Sequence, residues 1–168
     1  MATGRWLLKW QHAIALLCIT IAIVAVDRIT KFYIEELLYI SESIPVIPNI
    51  FSITRINNTG AAFGLMKGYN ILFFIAALAV FVLFIMYYKE IVKDNYLMIT
   101  ASFILSGTIG NTLDRLYFGY VVDYLNLSFW PTFNLSDVFL TIGTIMLIWY
   151  MWGLKQPEKK GQRWYDRY

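Results

Sequence analysis

Three aspartates, Asp114, Asp123 and Asp137, fall within residues 110–137, "GNTLDRLYFGYVVDYLNLSFWPTFNLSD", between two long apolar runs. A carboxylate beside a membrane span is costly to keep, so each calls for a structural or a chemical reason. Asn111, Asp114 and Arg115 stand at i, i+3 and i+4, which places them on one helical face. The spacing predicts an Asp114–Arg115 pair, and a carboxylate held ionised by a cation is a poor proton shuttle. Asp123 lies among Val121, Val122, Tyr124 and Leu125 on a short loop, with no basic residue close in sequence. Desolvation there should raise its pKa. Asp137 closes "FNLSD", where Asn134 is suited to cap a helix and Asp137 to fill the N3 position of a capping box. That role suffices for Asp137 taken alone. Taken with Asp123, it supplies a second carboxylate at the same boundary. Two neighbouring carboxylates resist double ionisation and share a proton, giving a general acid and a general base in one site. Such a dyad can activate water against an amide carbonyl without metal, thiol or imidazole.

Composition removes most alternatives. The 168 residues include one cysteine, Cys18, and one histidine, His12. No disulfide can form within the chain, and a Cys/His zinc site lacks ligands, so no metal or cofactor is expected. A net charge of +3, scattered along the chain, gives no footprint for nucleic acid. With 59% hydrophobic and 15% charged residues and a mean hydropathy of +0.58, the chain is a membrane protein, read as one domain over 1–168.

Four apolar segments are long enough to cross a bilayer: 6–26, continuing amphipathically toward Leu38, then 69–88, 96–113 and 138–154. Trp6, Trp10, Tyr87, Tyr88, Tyr96, Trp149 and Trp152 sit at their ends as interfacial belts. Arg5 and Lys9 resemble the start of a secretory signal. However, no small-residue cleavage site follows Ala13–Val26, and Leu17 is too large to precede a lipidated Cys18, so the segment is read as a retained span. One set of flanks holds Arg5, Lys9, Lys89, Lys93, Lys155, Lys159, Lys160, Arg163 and Arg167. The other holds Arg28, Lys31, Arg55, Lys67 and Arg115. The positive-inside rule then places both termini and a tail, 155–168, in the cytoplasm, with 27–69 and 114–137 outside.

Depth sharpens this picture. Asp27 follows Lys9, Asp114 follows Tyr96 and Lys155 follows Asp137, each by 18 residues. At about 1.5 Å per helical residue each interval is roughly 27 Å. Asp27, Asp114 and Asp137 therefore reach the same outer boundary from three helices. Asp27 and Lys31, in "DRITK", can pair at i, i+4, either as a helix-end salt bridge or as part of the site. Over 40–68, Pro45 and Pro48 exclude helix, Phe51, Ile53 and Arg55 alternate as a strand, and "NNTGAAFG" is turn chemistry. The expected fold is an all-α membrane protein of four transmembrane helices carrying a small extracytoplasmic β-sheet and loop subdomain.

The segments "DRITK", "NNTGAAFG", "GTIGNTLDR", "GYVVDY" and "FNLSD", in this order among four spans, resemble lipoprotein signal peptidase (signal peptidase II). Together they cover most of the chain from Asp27 to Asp137. The resemblance implies a bacterial inner-membrane aspartic peptidase, the target of globomycin. Such an enzyme removes signal peptides from prolipoproteins on the N-terminal side of the diacylglyceryl-modified cysteine. It implies a catalytic dyad of Asp123 and Asp137, and supporting roles for Asp27, Lys31, Asn58, Gly60, Asn111, Asp114, Arg115 and Asn134. Prolipoprotein and membrane lipid are the implied partners of a monomer. This chain has Ser136 where the family usually has alanine, Tyr124 where phenylalanine is common, and Ser106 and Thr108 in place of smaller residues. None changes a charge, while Ser136 adds a hydroxyl beside Asp137 that could tune its pKa.

Two other classes fit less well. A proton-coupled carrier would carry acids across the midplane and paired broken helices, whereas these acids share one interface. A presenilin-type protease needs G-x-G-D deep in a span, which the sequence lacks.

Overall fold

The computed structural model describes residues 2–60 and 70–155. Residues 61–69, part of the expected loop region, and the expected tail beyond 155 lie outside the described residues. The elements run α1 (Ala2–Leu37), β1 (Ser43–Ile47), β2 (Phe51–Asn58), α2 (Asn70–Ile91), α3 (Asn95–Phe118), β3 (Val121–Leu127) and α4 (Leu135–Lys155). Among the described residues, four helical stretches are long and apolar enough to cross a membrane: Trp10–Leu37, Asn70–Ile91, Asn95–Phe118 and Leu135–Gly153. The helices outrun the apolar segments because polar residues at their ends find partners within the protein.

Helix α3 is central and packs on α1, α2 and α4, whereas α2 and α4 have little direct contact with each other. Small residues let α3 and α4 approach closely. A Cβ on Gly107 would stand 2.9 Å from the Leu140 backbone nitrogen, and one on Gly143 would stand 2.8 Å from Ile104 Cγ1. The apolar core, Leu16, Ile91, Met98 and Leu105, lies toward the end of the bundle remote from the sheet. At that end His12 Nδ1–H donates to the Val92 carbonyl at 3.0 Å, fastening α1 to the α2–α3 turn. Its single histidine is thus a structural tie. Apolar residues on the outer faces of α1, α2 and α4 stay exposed, as a lipid-facing surface requires.

Both ends of α3 are capped. The Asp94 side chain accepts from the Tyr96 and Leu97 N–H groups, and Gly119 closes the helix at φ +78, donating to the Arg115 carbonyl. The chain then re-enters a three-stranded antiparallel sheet, order β1-β2-β3. Pro45 is tolerated because β1 is an edge strand. A bulge in β2 lies between the Ile53–Leu125 and Ile56–Asp123 pairs, next to the acid it helps to aim. Arg55 anchors the sheet: its Nη1 donates to the Glu35 and Leu38 carbonyls at 2.8 and 3.0 Å, closing the end of α1.

Asp123 therefore sits on strand β3, not on the loop that the sequence suggested. The strand escaped notice because Val121, Val122, Asp123 and Tyr124 are all buried, which erases the alternation that marks a half-buried strand.

Candidate active site

Two polar clusters meet where the sheet joins the helices. The first is ionic. Lys31 is 2% exposed, and its Nζ lies 3.0 Å from Asp27 Oδ2, 2.7 Å from Asp114 Oδ2 and 3.3 Å from Asn111 Oδ1. Arg28 donates from Nη1 to Asp114 Oδ1 and from Nη2 to Asp27 Oδ2 at 2.9 Å. Two buried carboxylates thus face two cations, and the charges cancel. The expected Asp114–Arg115 pair does not form. Consecutive helical residues diverge, so Asp114 turns toward α1 while Arg115 turns toward α2. Arg115 reaches the Asn111 and Gly60 carbonyls at 3.4 and 3.3 Å and lies 3.8 Å over the Phe73 ring. Arg28, which sequence reasoning counted only as an outer charge, takes its place. Its signal was its position beside Asp27, at the depth of Asp114.

The ionic cluster also grips the backbone. Asp114 Oδ2 accepts from the Val122 N–H at 3.3 Å, and Asp27 Oδ1 accepts from the Ser136 N–H at 3.1 Å. These residues immediately precede Asp123 and Asp137. Each internal acid therefore holds the backbone next to one of Asp123 and Asp137.

The second cluster holds those two acids. Asp123 Oδ2 accepts from Asn58 Nδ2 at 2.8 Å and Oδ1 from Asn134 Nδ2 at 2.7 Å. Asp137 Oδ1 accepts from Asn111 Nδ2 at 2.7 Å and Oδ2 from the Asn134 N–H at 3.1 Å. Asn134 Oδ1 in turn accepts from the Asp137 N–H at 2.9 Å, completing a capping box that starts α4. Capping and pairing are thus compatible, since Asn134 binds Asp137 through its backbone N–H and side-chain Oδ1 and Asp123 through its side-chain Nδ2. The second proton of Asn134 Nδ2 goes to Asn111 Oδ1 at 3.0 Å, so the amide is fully used.

All ten singled-out residues fall in these two clusters or on the cleft beside them. The cleft has a volume of about 370 Å³. Phe73, Ala77 and Val80 of α2 and Leu140 of α4 form apolar walls around Asn58, Gly60, Asn111, Arg115, Asp123 and Asp137. Gly107 and Thr108 of α3 also line it, so the cleft is bordered by α2, α3 and α4, of which α2 and α4 have little direct contact.

Burial pushes the Asp123 carboxyl up to about 7, aided by the charge of Asp137 and opposed by its two amide donors and by Lys31. This is the direction expected from its apolar neighbours. A carboxyl raised above its unfolded value of about 3.9 binds its proton more tightly in the folded state. Its stabilising contribution is complete below pH about 4 and is lost as pH rises to about 7. The melting temperature of the wild type is expected to fall across that window. Asp123→Asn should remove the Asp123 share of the slope, and an identical slope in the variant would contradict the burial argument.

Ser136 behaves differently from expectation. Its hydroxyl is buried, has no hydrogen-bond partner and is wedged against Gly110 near Asp27, so it makes no bond to Asp137. An unpartnered buried hydroxyl is costly, so Ser136→Ala is expected to stabilise the protein by about 1–2 kcal/mol. A lower melting temperature in that variant would show that the hydroxyl is bonded after all.

Comparison with known proteins gives a consistent picture. A family model described as signal peptidase (SPase) II matches residues 19–153. The lipoprotein signal peptidase of Halothermothrix orenii is 37% identical over 143 residues, covering 85% of this chain and 97% of its own length. That of Moorella thermoacetica is 36% identical over 136 residues, covering 80% of this chain and 91% of its own. A bacterial membrane enzyme solved by the in meso method at 2.3 Å resolution matches with a TM-score of 0.79 at 29% identity, over 89% of this chain and 94% of that one.

Proposed function

Because this chain belongs to the signal peptidase II family, a family of bacterial multi-pass membrane proteases, we propose that it is an aspartic endopeptidase acting on prolipoproteins. It cuts on the N-terminal side of the diacylglyceryl-modified cysteine, using water activated between Asp123 and Asp137. The observation that carries this reading is the double use of Asn134, which joins the two carboxylates of helix α4 and strand β3 into one site.

The chemistry follows from that pairing. One carboxylate takes a proton from water as its oxygen attacks the scissile carbonyl, and the other protonates the carbonyl oxygen. Asn58, Asn111 and Asn134 hold the carboxylates, Asp27, Lys31 and Asp114 hold the backbone that carries them, and Arg115 and Gly60 border the cleft. The substrate reaches the cleft sideways between α2 and α4, with its apolar stretch along their walls and its acyl chains in lipid. The protein works as a monomer in the inner membrane, and the distribution of basic residues supports cytoplasmic termini with the dyad at the extracytoplasmic interface.

The test is cleavage by purified protein of a prolipoprotein prepared with and without its diacylglyceryl group. The lipidated form should yield a shortened product, suppressed by globomycin, and the unlipidated form should remain intact. Persistence of the lipidated form uncut would overturn the reading.

A further inference from the structure

We infer that Asp123 carries the proton of the dyad and Asp137 its negative charge, making Asp137 the base toward water and Asp123 the acid toward the carbonyl. The inference rests on the dyad reading above and deepens it by giving the two carboxyls unequal roles.

The surroundings differ in kind. Asp137 is at the N-terminal turn of α4, where one oxygen accepts a backbone N–H at the positive end of the helix. Its other oxygen accepts from Asn111, whose own carbonyl is bound by Lys31 and by Asn134. Those two bonds leave only the amide NH₂ of Asn111 to face Asp137, and they polarise it. The cations facing Asp137 are Lys31 from α1 and Arg115 from α3. Asp123 lies on a strand, 3% exposed, and its donors are two neutral amides, from Asn58 on β2 and Asn134 before α4. Asp137 from α4 opposes its ionisation, while Lys31 from α1 favours it and Arg115 from α3 does so less than at Asp137.

Charge balance points the same way. Asp27 and Asp114 neutralise Arg28 and Lys31 within their own cluster. That leaves Arg115, whose carboxylate interactions are led by Asp137, to offset one further charge. A second anion would be buried without compensation, so the dyad keeps one proton.

The cycle closes. As water oxygen bonds to the carbonyl carbon, its proton passes to Asp137, while the proton of Asp123 moves to the carbonyl oxygen, giving a neutral gem-diol. Asp137 then returns its proton to the amide nitrogen as the C–N bond breaks. Asp123 recovers a proton from one diol hydroxyl as the carboxyl group forms. Both acids end as they began.

Infrared spectra of protein labelled with carboxyl-¹³C aspartate test the assignment at about pH 6, where a single shared proton is retained. The wild type should show a protonated-carboxyl band that is lost in Asp123→Asn and kept in Asp137→Asn. Loss only in Asp137→Asn, loss in both, or no band in the wild type would overturn it. A second measurement needs no variant. An epoxide esterifies ionised carboxylates, so of the two acids Asp137 should carry the ester in wild-type protein, and an ester on Asp123 instead would overturn the assignment. Neither readout depends on substrate turnover, so failure here is distinct from failure to cleave a prolipoprotein.

Discussion

Asp123→Asn and Asp137→Asn are each expected to lower prolipoprotein cleavage by about 10²–10⁴-fold or more, the range associated with losing a general acid or base. Substrate binding and folding should survive. The reason lies in the hydrogen bonds. Asn58 and Asn134 donate to Asp123, and an asparagine there keeps one carbonyl acceptor for them. At position 137 an asparagine still accepts one bond and still caps α4 through its backbone. Neither variant strips the ionic cluster of a member. Cleavage assays run beside thermal melts separate the two effects. Near-normal turnover by either variant would remove that acid from the chemistry, whereas loss of the folded state would make its role structural.

Lys31→Met is expected to produce the largest loss of stability, about 3–5 kcal/mol, because it breaks a buried ion pair by deleting one partner. Lys31 Nζ bonds Asp27, Asp114 and Asn111 together, and no water reaches a side chain 2% exposed. Removing it leaves two buried carboxylates facing Arg28 alone. It also removes one of the two bonds, the other being from Asn134, that orient the Asn111 amide toward Asp137. The melting temperature in detergent should fall sharply and activity with it, with Lys31→Arg recovering less than the wild type because a planar fork cannot occupy a tripod site. An unchanged melt for Lys31→Met would mean that the cluster does not hold the fold.

The parts of the molecule legible in the sequence are those governed by local rules. Apolar length defined four spans, and an 18-residue interval brought Asp27, Asp114 and Asp137 to one depth before any contact was known. Asn134 and Asp137 were readable as a cap because a capping box spans only four consecutive residues. What stayed hidden depended on orientation between elements. Arg115 is adjacent to Asp114 in sequence but points to α2, and Arg28, 86 residues away, takes the carboxylate instead. Asn58 meets Asp123 only because the bulge in β2 resets the register by one residue. Ser136 was misjudged for the same reason. Proximity to Asp137 in sequence suggested influence, but the α3–α4 crossing turns its hydroxyl toward Gly110.

Water as the nucleophile is the centre of this account, and the mass of the released signal peptide tests it most directly. Cleavage in ¹⁸O-labelled water containing hydroxylamine should give a free carboxylic acid with one ¹⁸O and no hydroxamate, and the companion fragment should begin at the diacylglyceryl cysteine. A hydroxamate on the signal peptide would reveal an acyl-enzyme and contradict direct attack by water held between Asp123 and Asp137.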